Sequence, residues 1–318
     1  MAGQPDWIWD IICCPECSGP LQPGEQVDQI LCGNPACGYT SQRQGRLLDL
    51  LPKALDQHQQ AENAFRERIN QKRAEQAAQM SADQLRRYRL LNQITYYAFT
   101  SQYFFFRDTF SKQYTLQGRG LEIGGAMGQL SGFVRLFYPN TQMVTSDVAP
   151  FNLELGIELA DLLGFETEYF VMADAERLPF QPESFDFICS SGMLHHLGNL
   201  PRALQHGRLA LKPNGRWYIV NELAIGGLPR LIWNSRLGQK GRWADDTGIR
   251  ENSYTLMEWQ AFFEDQGFRI VDQRFHRNPK HKLLSWPRAL YYALIARLPS
   301  GLIRMGIPCE VNFVLERD

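Results

Sequence analysis

Short apolar runs alternate with segments of helical character through the middle of the chain. The first run, Leu121 and Ile123 around Glu122, enters a glycine-rich turn and then a segment that suits a helix from about Gln129. Four further strand patterns follow, at residues 141–147, 165–174, 184–191 and 211–222. Strands that alternate with helices predict a parallel sheet with ligands at the carboxyl ends of its strands. The chain is therefore expected to be an α/β protein.

Two insertions, at residues 223–250 and 277–308, separate the remaining elements. Residues 255–268 predict an amphipathic helix, residues 268–275 a sixth strand and residues 311–318 the closing strand. Loops that follow strand ends carry specificity, so the first insertion is expected to contact the substrate. Its candidate contacts are Trp233, Arg236, Trp243, Asp245 and Asp246.

The second insertion has apolar residues at helical spacing, flanked by cations. Its stripe consists of Leu283, Leu290, Tyr291, Leu294 and Leu298, with Trp286 nearby. An apolar stripe with aromatic and cationic neighbours suits a helix at a membrane surface, which would give peripheral membrane contact through residues 281–306. A helix that caps the pocket or forms a dimer surface has the same pattern and is favoured. The oligomeric state stays open.

Five of the seven cysteines lie within the first forty residues. Two turns that each present a close pair of thiolates can form a tetrahedral Zn²⁺ site, and a segment as small as residues 1–52 has little core without one. Disulfides are disfavoured for a cytosolic chain. The Cys-Pro-x-Cys spacing favours Cys14 over Cys13. The candidate ligands of this structural zinc are Cys14, Cys17, Cys32 and Cys37.

Residues 53–116 predict a helical linker or lid. Residues 54–92 are rich in Gln, Ala, Glu and Arg, which predicts one or two solvent-facing helices. Their basic bias is more typical of a solvated face than of RNA contact. An aromatic segment follows at residues 96–105, where the rings are expected to pack on the sheet or line the pocket mouth.

The overall charge shows no excess of positive charge of the kind that favours nucleic-acid binding. The 318 residues include 33 Lys and Arg and 34 Asp and Glu, for a net charge of −1. The chain shows neither an apolar stretch long enough to cross a bilayer nor the features of a signal peptide at its start. The cytoplasm is therefore the expected location, with the periphery of a membrane as the alternative.

Five segments resemble, in order and spacing, the motifs of class I S-adenosylmethionine-dependent methyltransferases. They are LEIGGAMG at 121–128, Ser-Asp at 146–147, ADAERLPF at 173–180, FDFICSSGMLHHL at 185–197 and LKPNGRWYIVNE at 211–222. The His-His-Leu after the fourth strand resembles the subgroup that acts on small molecules and lipids. The resemblance implies a Rossmann-like, mostly parallel sheet of seven strands over residues 117–318, with an antiparallel closing strand and S-adenosylmethionine as the cofactor.

The resemblance also implies which residues bind that cofactor. The glycine-rich turn would hold its methionine part, Asp147 its ribose, and Asp174 its adenine amino group, while the end of the fourth strand would face the methionine amino group. The candidates are Glu122, Gly124, Gly125, Gly128, Asp147, Asp174, Ala175, Ser190 and Ser191. Ala126 departs from the family, which usually has glycine there, and an alanine is expected to fit if its φ is negative.

His195 and His196 lie just beyond the fourth strand, where an acceptor would approach the methyl group. Methyl transfer needs an aligned nucleophile, exclusion of water and, for a hydroxyl acceptor, a group that accepts a proton. A neutral imidazole suits the last task. Either histidine is a candidate base, with His195 first because it is nearer the strand end, and structural packing is the alternative.

The cysteine segment and the GRLLDLLP at 45–52 resemble the zinc ribbons that precede some methyltransferase domains. Such ribbons occur in large-subunit ribosomal RNA guanine methyltransferases, where they help to hold RNA, and in enzymes with other substrates. The sequence therefore predicts methyl transfer to a small-molecule, natural-product or lipid-like acceptor. A ribosomal RNA guanine methyltransferase is the alternative, and a non-catalytic binding or scaffold protein of the same fold is the third hypothesis.

Overall fold

The computed structural model describes residues 7–55, 57–81, 83–84, 113–165, 168–235, 251–275 and 309–318. Four expectations fall wholly or partly on residues outside these ranges. They concern the helical linker 53–116, of which residues 85–112 are not described, the aromatic segment 96–105, the candidate contacts at residues 236–250 and the helix at residues 281–306. These stay predictions.

The described residues form eleven strands and six α-helices. The strands are β1 Leu21–Pro23, β2 Gln29–Cys32, β3 Thr40–Gln44, β4 Leu47–Asp49, β5 Arg119–Ile123, β6 Gln142–Asp147, β7 Tyr169–Met172, β8 Phe185–Ser191, β9 Leu211–Ala224, β10 Phe268–Phe275 and β11 Cys309–Arg317. The helices are α1 Gln57–Ala78, α2 Gln129–Phe137, α3 Pro150–Leu162, α4 Leu200–Ala210, α5 Gly227–Asn234 and α6 Leu256–Asp265. Among these described helices, none is both long and apolar enough to cross a membrane.

The strands form one sheet in the order β1-β2-β3-β4-β7-β6-β5-β8-β9-β11-β10. Strands β7, β6, β5, β8 and β9 run parallel, and β11 lies antiparallel between β9 and β10. This part confirms the predicted Rossmann-like arrangement of seven strands. The strand order reverses at β5, which has β6 on one side and β8 on the other, and such a reversal opens a crevice at the carboxyl ends of the strands.

The sheet extends four strands beyond the predicted seven. Strand β4 pairs in parallel with β7, with Leu48 opposite Val171, and β1, β2 and β3 continue outward from it as an antiparallel meander. Without β4, the edge of β7 would expose unpaired N–H and C=O groups. Backbone hydrogen bonds therefore join the cysteine segment to the central sheet.

The cysteine segment also shares a hydrophobic core with the central sheet. Its most buried members, at 1% exposure or less, are Ile8, Ile12, Cys14, Ile30, Leu48 and Leu50. The Cys13 N–H donates to the Pro179 carbonyl at 2.9 Å, and the Gln181 N–H donates to the Ile11 carbonyl at 2.7 Å. The stability of this segment is thus coupled to packing on the rest of the sheet.

Local sequence explains where the two helices beside the site begin. The Asn199 side chain accepts a hydrogen bond from the Arg202 N–H at the start of α4. Helix α6 starts with a capping box, in which the Glu258 N–H donates to Thr255 Oγ1 at 3.1 Å and the Thr255 N–H donates to Glu258 Oε2 at 2.7 Å. These caps satisfy N–H groups that have no partner within a helix.

Candidate functional site

A cavity of about 240 Å³ opens at the crevice between β5 and its neighbours. The sequence-based candidates in its wall are Glu122, Gly124, Gly125, Asp147, Asp174, Ala175, Ser191 and His196. These residues come from the ends of β5, β6, β7 and β8, which parallel pairing brings to one edge of the sheet. The cavity wall does not include Gly128, Ser190 or His195.

Glu122 is buried at 2% exposure, and both of its oxygens contact the start of α2. Oε1 accepts from the Leu130 N–H at 3.1 Å, and Oε2 accepts from the Ser131 N–H at 2.7 Å. Burial raises the pKa of Glu122 to about 7, although these hydrogen bonds lower it. The helix N-terminus favours the carboxylate. Glu122 therefore anchors the glycine-rich turn and α2, and also forms part of the cavity wall.

Asp147 connects the end of β6 to the glycine-rich turn. Its Oδ2 accepts from the Ala126 N–H at 2.8 Å, and its Oδ1 accepts from the Ala149 N–H at 2.9 Å. Ala126 has a φ of 48°, so the condition of a negative φ, under which an alanine is expected to fit, is not met. The turn requires a left-handed residue here, which costs an L-residue about 1–2 kcal/mol. The hydrogen bond to Asp147 helps to offset that cost.

The three glycines of the turn have distinct structural roles. A Cβ on Gly124 would lie 2.9 Å from the Met193 side chain, and one on Gly125 would lie 2.7 Å from the Glu122 carboxyl carbon. Gly128 has a φ of 74° and immediately precedes α2, and it does not line the cavity. Gly124 and Gly125 thus keep the turn close to the cavity, whereas Gly128 allows the chain to enter the helix.

Asp174 follows β7 and caps the short 3-10 turn Ala175–Arg177. Its Oδ1 accepts from the Glu176 N–H at 2.8 Å, and the residue is 9% exposed. The Ala173 N–H donates to the Asp147 carbonyl at 3.0 Å, which holds the two strand ends side by side. Both acids therefore line the same cavity. Ser190, by contrast, lies in the core, where its Oγ accepts from the Trp217 indole N–H at 3.0 Å.

The turn after β8 holds both histidines, but only His196 lines the cavity. His195 Nδ1 lies 2.7 Å from Glu222 Oε2, and Glu222 is fully buried at the end of β9. The other oxygen of Glu222 accepts from the Met193 and Leu194 N–H groups at 3.1 and 2.9 Å. Glu222 thus fixes the backbone of the turn and one ring nitrogen of His195.

Glu251 completes this group from the far side of the first insertion. Its carboxylate lies 3.6 Å from His195 Nε2 and 3.8 Å from His196 Nδ1. Sequence reasoning missed both acids as site residues. Glu222 could have been found because it ends a parallel strand at the ligand-binding edge. Glu251 has no comparable local signal, since only tertiary contacts bring it to the histidines.

The four predicted cysteine ligands meet in one cluster, within 4.8 Å of one another. The Cys14 and Cys37 sulfurs are 3.7 Å apart, and the Cys17 and Cys32 sulfurs are 3.5 Å apart. With Zn–S bonds of about 2.3 Å, a tetrahedron has edges of about 3.8 Å, so the cluster fits Zn²⁺. Cys13 is buried outside this cluster.

The thiols of this cluster differ in acidity. The Gly19 backbone hydrogen bond lowers the pKa of Cys17 to about 7, whereas burial raises the pKa of Cys14 to about 12. A bound cation deprotonates a coordinating thiol outright. Backbone N–H groups of Glu16 and Asn34 point at the sulfurs of Cys14 and Cys32, each at 3.4 Å, which suits thiolate charge.

A sequence profile of the family described as "Methyltransferase domain" matches residues 39–273. The chain therefore belongs to this family, and its fold is that of a methyltransferase domain. The match begins inside the cysteine segment, just before β3, and ends within β10.

Several known proteins are similar to parts of this chain. The uncharacterized methyltransferase YcgJ of Bacillus subtilis is 30% identical over 146 residues, which cover 46% of this chain and 54% of that protein. The ubiquinone/menaquinone biosynthesis C-methyltransferase UbiE of Pseudomonas putida is 35% identical over 104 residues, which cover 32% of this chain and 41% of that protein. The chain thus spans about half the length of these relatives or less. The crystal structure of Bacillus subtilis YcgJ covers 69% of this chain and 98% of its own, with a TM-score of 0.47 and 20% identity.

Proposed function

We propose that this protein transfers a methyl group from S-adenosylmethionine to a small-molecule or lipid-like acceptor. The observation that carries the proposal is the convergence of Glu122, Asp147 and Asp174 on one cavity, with His196 in the same wall. Carboxylates at the ends of adjacent parallel strands are placed to accept hydrogen bonds from a nucleoside. The glycine-rich turn between them lets the ligand approach the backbone.

Different cavity residues would bind different parts of the cofactor. Bound S-adenosylmethionine supplies an electrophilic methyl group on a sulfonium ion. Asp147 lies at the end of β6 in the cavity wall, where its carboxylate would accept hydrogen bonds from the ribose hydroxyls. Asp174 lies on the adjoining strand end, where it would accept from the adenine amino group, and Ser191 would face the methionine part.

The cavity wall beside the histidine turn favours a partly apolar acceptor. Met193, Leu197 and His196 line this side of the cavity. Apolar walls with a few placed polar groups are typical of small-molecule sites. The net charge of −1 gives no whole-chain attraction to RNA. The similarity to UbiE, a ubiquinone/menaquinone biosynthesis C-methyltransferase, supports an acceptor of this class.

A transfer assay with a labelled methyl donor tests the proposal. The purified protein is incubated with cell extract that has been separated into RNA, lipid and soluble small-molecule fractions. We expect label in the lipid or the soluble fraction. Label confined to RNA would contradict the acceptor class and support the ribosomal RNA alternative. Absence of label from all three fractions, with no heat on titration of S-adenosylmethionine, would support the scaffold hypothesis instead.

We further infer that Cys14, Cys17, Cys32 and Cys37 bind a structural Zn²⁺, so that residues 7–50 form a zinc ribbon. The sulfur separations and the N–H groups that point at the sulfurs support this inference. Metal analysis of the purified protein tests it. We expect tightly held zinc, of which one ion per chain is lost on Cys17→Ser or Cys37→Ser substitution.

A further inference from the structure

His195, His196 and Glu251 form a second cluster of metal-ligating groups, distinct from the cysteines. One ligand atom from each of the three lies within 4.8 Å of the others. We propose that this cluster binds a divalent cation at the rim of the cofactor cavity. The site would adjoin the cavity, because His196 belongs both to the cluster and to the cavity wall. The inference goes beyond the proposed function, since cation binding does not depend on which acceptor is methylated.

The separations within the cluster suit ligands of one ion. Glu251 Oε2 lies 3.6 Å from His195 Nε2, and Glu251 Oε1 lies 3.8 Å from His196 Nδ1. Both distances exceed those of ordinary hydrogen bonds. Ligands bound at about 2.1 Å in a tetrahedral arrangement lie about 3.4 Å apart, so a small movement of the side chains would bring all three into contact with the same ion.

Glu222 orients the imidazole ring of His195 for metal binding. The carboxylate is fully buried, and its Oε2 lies 2.7 Å from His195 Nδ1, so the imidazole directs Nε2 toward Glu251. Metal-binding histidines almost always have their second ring nitrogen hydrogen-bonded, commonly to a carboxylate, which fixes the tautomer and the ring orientation. The buried Glu222 occupies that position here.

Backbone contacts hold Glu251 beside the histidine turn. The Asn252 N–H donates to the His195 carbonyl at 2.9 Å, and Asn252 Nδ2 donates to the Leu197 carbonyl at 2.8 Å. The Ile225 N–H donates to the Tyr254 carbonyl at 2.8 Å, which attaches the same segment to the end of β9. The three proposed ligands are therefore positioned by the fold before any ion binds.

The donor set indicates the class of ion. Two imidazole nitrogens and one carboxylate suit Zn²⁺, Fe²⁺, Co²⁺ and similar transition metals better than Mg²⁺, which prefers oxygen ligands. Three protein ligands leave coordination positions open. An acceptor hydroxyl or enol that bound there would lose its proton to water more easily, because the cation stabilises the resulting oxyanion. When the cation is bound, both histidines act as its ligands, and neither serves as the candidate base of the sequence analysis.

Binding of Co²⁺ to the full-length protein, with zinc retained at the cysteines, tests the proposal. Neither methyl donor nor acceptor is present, so the result is independent of the transfer assay. We expect one Co²⁺ per chain, with d–d absorption bands and without the thiolate-to-cobalt charge-transfer band that the cysteine cluster would produce. Glu251→Gln and His196→Gln should weaken binding by at least about 100-fold, since changes to outer partners alone cost about 10–100-fold.

Glu264→Gln is the matched control, because it makes the same chemical change at an exposed position on α6. It should bind Co²⁺ as the wild type does. The proposal is overturned if the wild type binds no Co²⁺ beyond the cysteine site, or if both ligand variants bind it with unchanged affinity. If circular dichroism shows that a ligand variant does not fold, the absorption spectrum of the wild type with Co²⁺ tests the proposal instead. A thiolate-to-cobalt charge-transfer band would show that the added Co²⁺ binds to cysteines, which would overturn the proposal.

Discussion

Ala126 shows how one hydrogen bond can accommodate an unfavourable backbone conformation. Its φ of 48° lies in the left-handed region, where the family usually has glycine. The Asp147 carboxylate accepts its N–H at 2.8 Å and so holds the turn in place. The same carboxylate is the proposed ribose ligand. Under this proposal, turn conformation and cofactor binding depend on a single side chain.

Replacement of Ala126 by glycine should not destabilise the protein. Relief of the left-handed conformation contributes about 1–2 kcal/mol, and the added freedom of the unfolded chain offsets about 0.4–1 kcal/mol of this. We expect the free energy of unfolding in urea to be unchanged or to rise by about 1 kcal/mol. Ala64→Gly, at an exposed position within α1, should instead lower it by about 0.5–1 kcal/mol. Equal losses in both variants would contradict the expectation.

Asp147→Asn should weaken binding of S-adenosylmethionine by about 10–100-fold, because a hydrogen bond to a charged group contributes about 1.5–3 kcal/mol. Isothermal titration calorimetry measures the change. Asp265→Asn, which makes the same substitution at an exposed position on α6, should retain wild-type affinity. Wild-type affinity in the Asp147 variant would show that Asp147 does not hold the ribose.

Glu168 should make the protein less stable as the pH rises. Burial raises its pKa from 4.5 to about 8, although Arg135 at 3.8 Å lowers it. Between these two pKa values the folded state keeps a proton that the unfolded chain has released, so stability is lost as the pH rises through that window. Glu168→Gln should remove this part of the pH dependence of the melting temperature. Glu264→Gln should leave the wild-type pH dependence in place, and the same profile in both variants would contradict the role of Glu168.

The pairing of β4 with β7 makes the cysteine segment part of the sheet. Leu48 lies opposite Val171, and Ile12 and Leu50 are buried in the core that includes the central strands. A zinc ribbon placed there would contribute its folding free energy to the whole domain, since its strand covers the edge of β7. Loss of the ribbon would expose that edge.

Removal of zinc should therefore destabilise the entire domain. In Cys37→Ser we expect a single cooperative thermal transition at a lower temperature than in the wild type, measured by calorimetry with a parallel assay of zinc content. Cys13→Ala is the matched control, because Cys13 is buried near the cluster but does not belong to it. That variant should retain zinc. An independent ribbon would instead produce two transitions, with the main one unchanged.

On the scale of the whole molecule, several opposite charges among the described residues lie close together. Lys212 pairs with Asp186 and Arg216 pairs with Glu316, both at 2.8 Å, and Arg46 pairs with Asp161. The net charge of the chain is −1. Pairing of this kind reduces the potential that would attract a polyanion. These features favour a small acceptor over RNA.

We accordingly expect the full-length protein to show no salt-sensitive binding to ribosomal RNA fragments. Affinity that falls steeply with salt is the mark of phosphate contacts, because each contact releases condensed counterions. A gel-shift titration at two salt concentrations measures this. A complex that forms at low salt and dissociates at higher salt would support the RNA alternative.

The sequence by itself determined the order of the elements, the strand-end acids and the paired cysteines. These features follow from local periodicity and spacing, and parallel pairing then brings Glu122, Asp147 and Asp174 to one edge of the sheet. Only the tertiary structure decided the left-handed φ of Ala126, the addition of β4 to the sheet and the meeting of His195 with Glu222 and Glu251. Such contacts join residues far apart in the chain, and their geometry depends on packing that no local pattern encodes.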